Sequence, residues 1–78
     1  MKILAVDDDD SIRELLELQL TRNGYEALTA ADGREALDKA SGADLILLDV
    51  MLPGIDGFEI CRRLKADPVL RAVPIIML

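Results

Sequence analysis

The chain has 78 residues, a formal net charge of −6 and no histidine, and 51% of its residues are apolar but only 3% aromatic. That length holds one domain, and the apolar fraction excludes a disordered tail. The nine Lys and Arg are scattered instead of gathered in a stripe, which argues against nucleic-acid binding; the acid excess suits a divalent cation or a basic partner.

The first element is the apolar run Ile3 to Val6, stopped by Asp7. It is far too short for a signal peptide or a membrane span. A lone cysteine, Cys61, offers no internal disulfide and fits a reducing compartment, so a cytoplasmic protein without membrane contact is expected. Continuous apolar runs suit strands covered on both faces, as in parallel sheets.

From Asp10 to Arg22 the pattern turns helical, with Ile12, Leu15, Leu16, Gln19 and Leu20 on one stripe and Arg13, Glu14 and Glu17 outside it. Ser11 and Glu14 have the spacing of a capping box, and the aspartates before them favour a helix start. Asn23-Gly24 can close that helix in a left-handed turn.

Tyr25 to Ala30 predicts a second strand, and Asp32 caps a second helix running to about Ala40, ended by Ser41-Gly42. Leu45 to Leu48 is the most buried-looking strand, and it stops at Asp49. The turn formers Pro53, Gly54, Asp56 and Gly57 then make a loop. Phe58, Ile60, Cys61 and Leu64 mark a third helix ended by Asp67-Pro68, and Val73 to Leu78 reads as a fourth strand. The order βαβαβαβ implies an α/β fold: a parallel sheet with helices on its faces and right-handed crossovers.

The acids carry the chemistry. Asp7 and Asp8 end the first strand, and Asp49 ends the third. If those strands are neighbours, about 4.8 Å apart, their carboxyl ends open into one crevice, where sheets of this kind bind ligands. Carboxylates about 4 Å apart repel by roughly 4 kcal/mol at an effective dielectric near 20. A hard cation such as Mg2+, which favours carboxylates, phosphates and water, removes that penalty. Asp9 and Asp10 read as helix caps, Asp56 as a turn former, Cys61 as a half-buried helix residue, and Arg62, Arg63 and Lys65 as a solvated face.

Val6-Asp7-Asp8, followed by Leu47-Leu48-Asp49-Val50-Met51-Leu52-Pro53-Gly54-Ile55-Asp56-Gly57-Phe58, resembles the acid pair and phosphoacceptor loop of response-regulator receiver domains. The match runs in register over the whole chain. It implies a flavodoxin-like, doubly wound parallel sheet ordered 2-1-3-4. It implies Asp49 as phosphoacceptor and Mg2+ ligand, Asp8 as direct Mg2+ ligand, Asp7 as holder of a metal-bound water, and the Met51 backbone carbonyl as a further ligand. The implied partner is a sensor histidine kinase or phosphotransfer protein of a two-component system.

On this resemblance residues 1–78 are the N-terminal two-thirds of a receiver. The family's fourth helix, fifth strand and fifth helix fall beyond Leu78, together with a Ser or Thr and a Lys that contact the phosphoryl oxygens. Strand four would then be an open edge and the face lacking the fifth helix uncovered, so self-association is expected. A fragment that serves only as a self-associating assembly or folding module is the rival reading. A hydrolase using an aspartyl phosphate fits poorly, since such enzymes resemble this pattern but place an acid where Met51 stands.

Overall fold

Strands and helices alternate along the chain in a computed structural model that describes residues 1–49, 52 and 56–78. In chain order these are β1 (Lys2–Val6), α1 (Asp10–Arg22), β2 (Glu26–Ala30), α2 (Gly33–Lys39), a 3-10 turn (Ala40–Gly42), β3 (Leu45–Leu48), α3 (Gly57–Ala66) and β4 (Ile75–Met77). All pairings are parallel and the sheet order is β2-β1-β3-β4, the order implied by the resemblance.

Why the strands read as unbroken apolar runs is now plain. In β1, Leu4 and Val6 face a core with Ala30, Ile46, Leu48, Ala36 and Ala40, closed by Ile60 and Leu64 of α3. Ile3 and Ala5 alternate with them, so they point to the opposite face, and they are buried as well. On that face α1 packs against β1 and β2. Paired positions in a parallel sheet share a face, so Leu45, Leu47 and Ile76 lie on the α1 side too. There Leu45 and Leu47 are half-buried, while Ile76 is exposed on the edge strand.

Two expectations about α1 fail. Ser11 is not its cap: Asp9 is the last residue with extended backbone, and its Oδ1 accepts the Ser11 and Ile12 amides at 2.8 and 3.2 Å. Ser11 already lies inside the helix, which begins at Asp10. The apolar stripe is also only partly the contact surface. Arg13, Leu16 and Leu20 are half-buried, Ile12 and Leu15 are 43% and 53% exposed, and Gln19 is exposed. The helix rests on the line through Arg13, Leu16 and Leu20, and leaves Ile12 and Leu15 to one side of it. At its far end Gly24 takes the left-handed turn (φ 85°), while Asn23 keeps a negative φ and caps with its side chain.

Smaller differences have local causes. The fourth strand is shorter than Val73 to Leu78, because Pro74 has no amide to donate; its carbonyl accepts from Ile46 at 3.0 Å and pairing begins at Ile75. The segment before it is tied back by Asp67, whose Oδ1 accepts the Val69 and Leu70 amides, and by Lys65, whose Nζ donates to the carbonyls of Arg71 and Val73.

Candidate metal and phosphoacceptor site

The register of the sheet builds the site. Val6 pairs with Leu48, so the next residues, Asp7 and Asp49, emerge side by side from neighbouring strands. Hydrogen bonds past the ladder fix both: the Asp49 amide donates to the Val6 carbonyl at 3.0 Å, and the Asp7 amide to the Ala30 carbonyl at 3.1 Å. Asp8 follows as the chain turns toward α1. One carboxylate oxygen from each of Asp7, Asp8 and Asp49 lies within 4.8 Å of the others. The residues that sequence reasoning gathered at one crevice are therefore together.

They differ in environment. Asp7 is 6% exposed, Asp49 half-buried and Asp8 exposed. Burial pushes the Asp7 carboxyl above the usual carboxylate range, and the neighbouring Asp49 and Asp8 charges push the same way; a hydrogen bond accepted from the Asp9 amide opposes them. Carboxylate oxygens at this spacing are the donor set a hard divalent cation takes, and Mg2+ fits it.

The neighbouring residues sort as follows. Met51, the expected carbonyl ligand, lies outside the described residues, as do Val50, Pro53, Gly54 and Ile55. Asp56 caps α3, accepting the Glu59 amide at 2.9 Å, which matches its reading as a turn former. Cys61 is half-buried against the core, as expected. Sequence reasoning missed Arg13. Placed outside the apolar stripe, it is half-buried, and its Nη1 donates to the Asp7 backbone carbonyl at 2.8 Å while Nη2 pairs with Asp10. Asp10 three residues before it was the one available signal.

Comparison with known proteins shows the family of the chain. A family model described as the response regulator receiver domain matches residues 3–78. The chain belongs to that family. This receiver domain is 52% identical to the alkaline phosphatase synthesis transcriptional regulatory protein PhoP of Bacillus subtilis, over 99% of its own length and 32% of PhoP. With the transcriptional regulatory protein AfsQ1 of Streptomyces coelicolor the identity is 53%, over 97% of this chain and 33% of the relative. Among solved structures, the N-terminal domain of a response regulator receiver protein from Methanoculleus marisnigri superposes with a TM-score of 0.93 at 40% identity, covering 97% of this chain and 63% of that one. In each case the chain spans less than two thirds of the other protein's length. The receiver domain is a module of two-component signalling; receivers generally bind Mg2+ at an acidic pocket, and Asp7, Asp8 and Asp49 form an acidic cluster that could hold such an ion. Among the described residues no helix is long and apolar enough to cross a membrane.

Proposed function

We propose that Asp49 accepts a phosphoryl group from a phosphohistidine on a sensor histidine kinase or phosphotransfer protein. The observation that carries this reading is the convergence of Asp7, Asp8 and Asp49 at the carboxyl ends of two adjacent parallel strands. Asp8 and Asp49 would ligate Mg2+ directly and Asp7 would hold a metal-bound water, with the Met51 carbonyl added on the family resemblance. The bound ion supplies charge neutralisation for the anionic phosphoryl group and the acids around it.

The chain's own part is positioning. With its amide held by the Val6 carbonyl, Asp49 has a fixed main chain that keeps its carboxylate in the cluster with Asp7 and Asp8. One carboxylate oxygen attacks phosphorus; the phosphorus–nitrogen bond breaks, its electron pair stays with the imidazole, and an acyl phosphate forms on Asp49. The acceptor is modified rather than turned over, so the role is that of a signalling module and not of an enzyme. Residues 1–78 are proposed to be the N-terminal two-thirds of the module, working in the cytoplasm and making no nucleic-acid contact of their own.

Incubation with acetyl phosphate and Mg2+, followed by intact-mass measurement, tests the assignment. The wild-type chain should gain one phosphoryl mass and Asp49→Asn none. Label that persists in Asp49→Asn would sink the reading.

A second reading is favoured by exposed apolar side chains. Ile76 on the edge strand is 49% exposed and Leu78 just after it 56%, and Ile12 and Leu15 stand open on the α1 side of the sheet, where Ile76 lies. Edges and patches of this kind promote pairing with another chain. The 78-residue chain is therefore proposed to self-associate through β4 and that face, in the limiting case as an assembly module only. Light scattering that finds a compact monomer at high concentration refutes self-association, and absence of Mg2+ binding at millimolar metal favours the bare module over the phosphoacceptor.

A further inference from the structure

Asp8 is the exposed member of the cluster, and no hydrogen bond to another described residue places its side chain. Its position is set by the main chain on either side of it. Arg13 meets both sides, with its main chain on one and its side chain on the other. The Arg13 amide donates to the Asp9 carbonyl at 3.0 Å, the first bond of α1, and its guanidinium reaches back past Asp8 to the Asp7 carbonyl at 2.8 Å. The same guanidinium pairs with Asp10, which fixes the fork against the first turn of the helix. The Asp7 carbonyl lies beyond the last paired residue of β1, so the guanidinium satisfies a backbone acceptor past the end of the ladder. With its side chain only 20% exposed, Arg13 is a built contact and not a solvated charge.

We propose that Arg13 is a positioning residue of the metal centre: by tying the Asp7 carbonyl to the first turn of α1 through its guanidinium, it sets the turn that presents Asp8 to the cation. The inference rests on the reading of Asp8 as a Mg2+ ligand. It has a sign that separates it from a purely electrostatic role. A fixed positive charge beside the cluster opposes a second cation, so if charge were all that Arg13 contributed, its removal would tighten Mg2+ binding. If Arg13 positions Asp8, its removal loosens the turn and weakens binding, by about tenfold or more, as for other groups that orient metal ligands. The fork geometry is part of the inference. Lysine keeps the charge but is a point donor on a flexible stem, and cannot hold the Asp7 carbonyl and Asp10 in one planar arrangement.

Isothermal titration of the whole chain with Mg2+ alone, with circular dichroism to verify folding, tests this in wild type, Arg13→Gln and Arg13→Lys. The expected result is weaker binding in both variants, with Lys between Gln and wild type. Equal or tighter binding in a folded Arg13→Gln, with wild type binding Mg2+ normally, overturns the positioning role and leaves the phosphoacceptor reading intact. Should Arg13→Gln not fold, Arg13→Lys decides: a weaker dissociation constant supports the inference, and a wild-type constant overturns it. Wild type that fails to bind Mg2+ overturns the Mg2+ reading and this inference with it.

Discussion

Asp7→Asn should stabilise the protein without metal and weaken it with metal. The substitution keeps a side-chain oxygen that can accept the Asp9 amide, now 2.9 Å from Asp7 Oδ1, and removes only the charge. That charge sits within 4.8 Å of oxygens from Asp8 and Asp49. Two unit charges at such a distance repel by about 3.5 kcal/mol at an effective dielectric of 20, and by about 0.9 kcal/mol in bulk water. Asp8 is exposed and Asp49 half-buried, so screening by solvent holds both pairs toward the lower figure. Relief of roughly 1–3 kcal/mol follows, and in a domain of this size each kcal/mol moves the melting temperature by about 4–8 °C. Thermal unfolding followed by circular dichroism in a chelator, near neutral pH, reads it directly. Excess Mg2+ should reverse the order, because ligand at about 100 times its dissociation constant adds roughly 2.7 kcal/mol to whichever chain still binds it. A variant that melts below wild type in the chelator would show that the three carboxylates do not strain the folded state, and the reasoning would fail.

Two further outcomes follow from the same structure. Folded Asp7 holds its proton more tightly than the unfolded chain does, so its contribution to metal-free stability is complete below the ordinary carboxylate value and is lost as pH rises through the raised one; urea midpoints across that window should fall in wild type and not in Asp7→Asn. Leu64, 1% exposed beneath the sheet, should cost about 2–5 kcal/mol on substitution by Ala, with denaturant unfolding as the measure and a loss below 1 kcal/mol as the contrary result.

The strands and the acids that end them were legible because both rest on short-range patterns. Runs such as Ile3 to Val6 and Leu45 to Leu48 declare strands buried on two faces, and the acid that stops each run marks its carboxyl end. The 2-1-3-4 order was a different matter. Alternating elements give parallel strands but not their neighbours, and the resemblance supplied that order. What stayed illegible depends on which way a side chain reaches. Ser11 and Glu14 have capping-box spacing, yet Asp9 caps the helix, because the cap falls to the last extended residue and sequence spacing does not locate it. Ile12 and Leu15 look like core and stand exposed, because how squarely a helix sits on its sheet is set by packing and not by periodicity. Arg13 fell outside the apolar stripe for the same reason: on a helical wheel nothing shows that its guanidinium can turn back to the strand it followed.

The site also explains why its acids are held by backbone. Repulsion among Asp7, Asp8 and Asp49 favours their separation, and the simplest escape is for the two strand ends to splay. Splaying would break the bond from the Asp49 amide to the Val6 carbonyl and the bond from the Asp7 amide to the Ala30 carbonyl, each an exchange that leaves backbone groups unsatisfied beside a dry core. Val6, Leu48 and Ala30, the residues immediately behind those bonds, are fully buried, so the ends cannot move without opening packed apolar surface. The carboxylates are therefore kept close against their mutual repulsion before any cation arrives, and the cation need not draw them together. Affinity for the metal then depends on the core behind the site as well as on the ligands. A core substitution such as Leu64→Ala should for that reason weaken Mg2+ binding only to the degree that it loosens these strand ends, whereas the proposed action of Arg13 is on Asp8, the member of the three-aspartate cluster that the ladder does not reach.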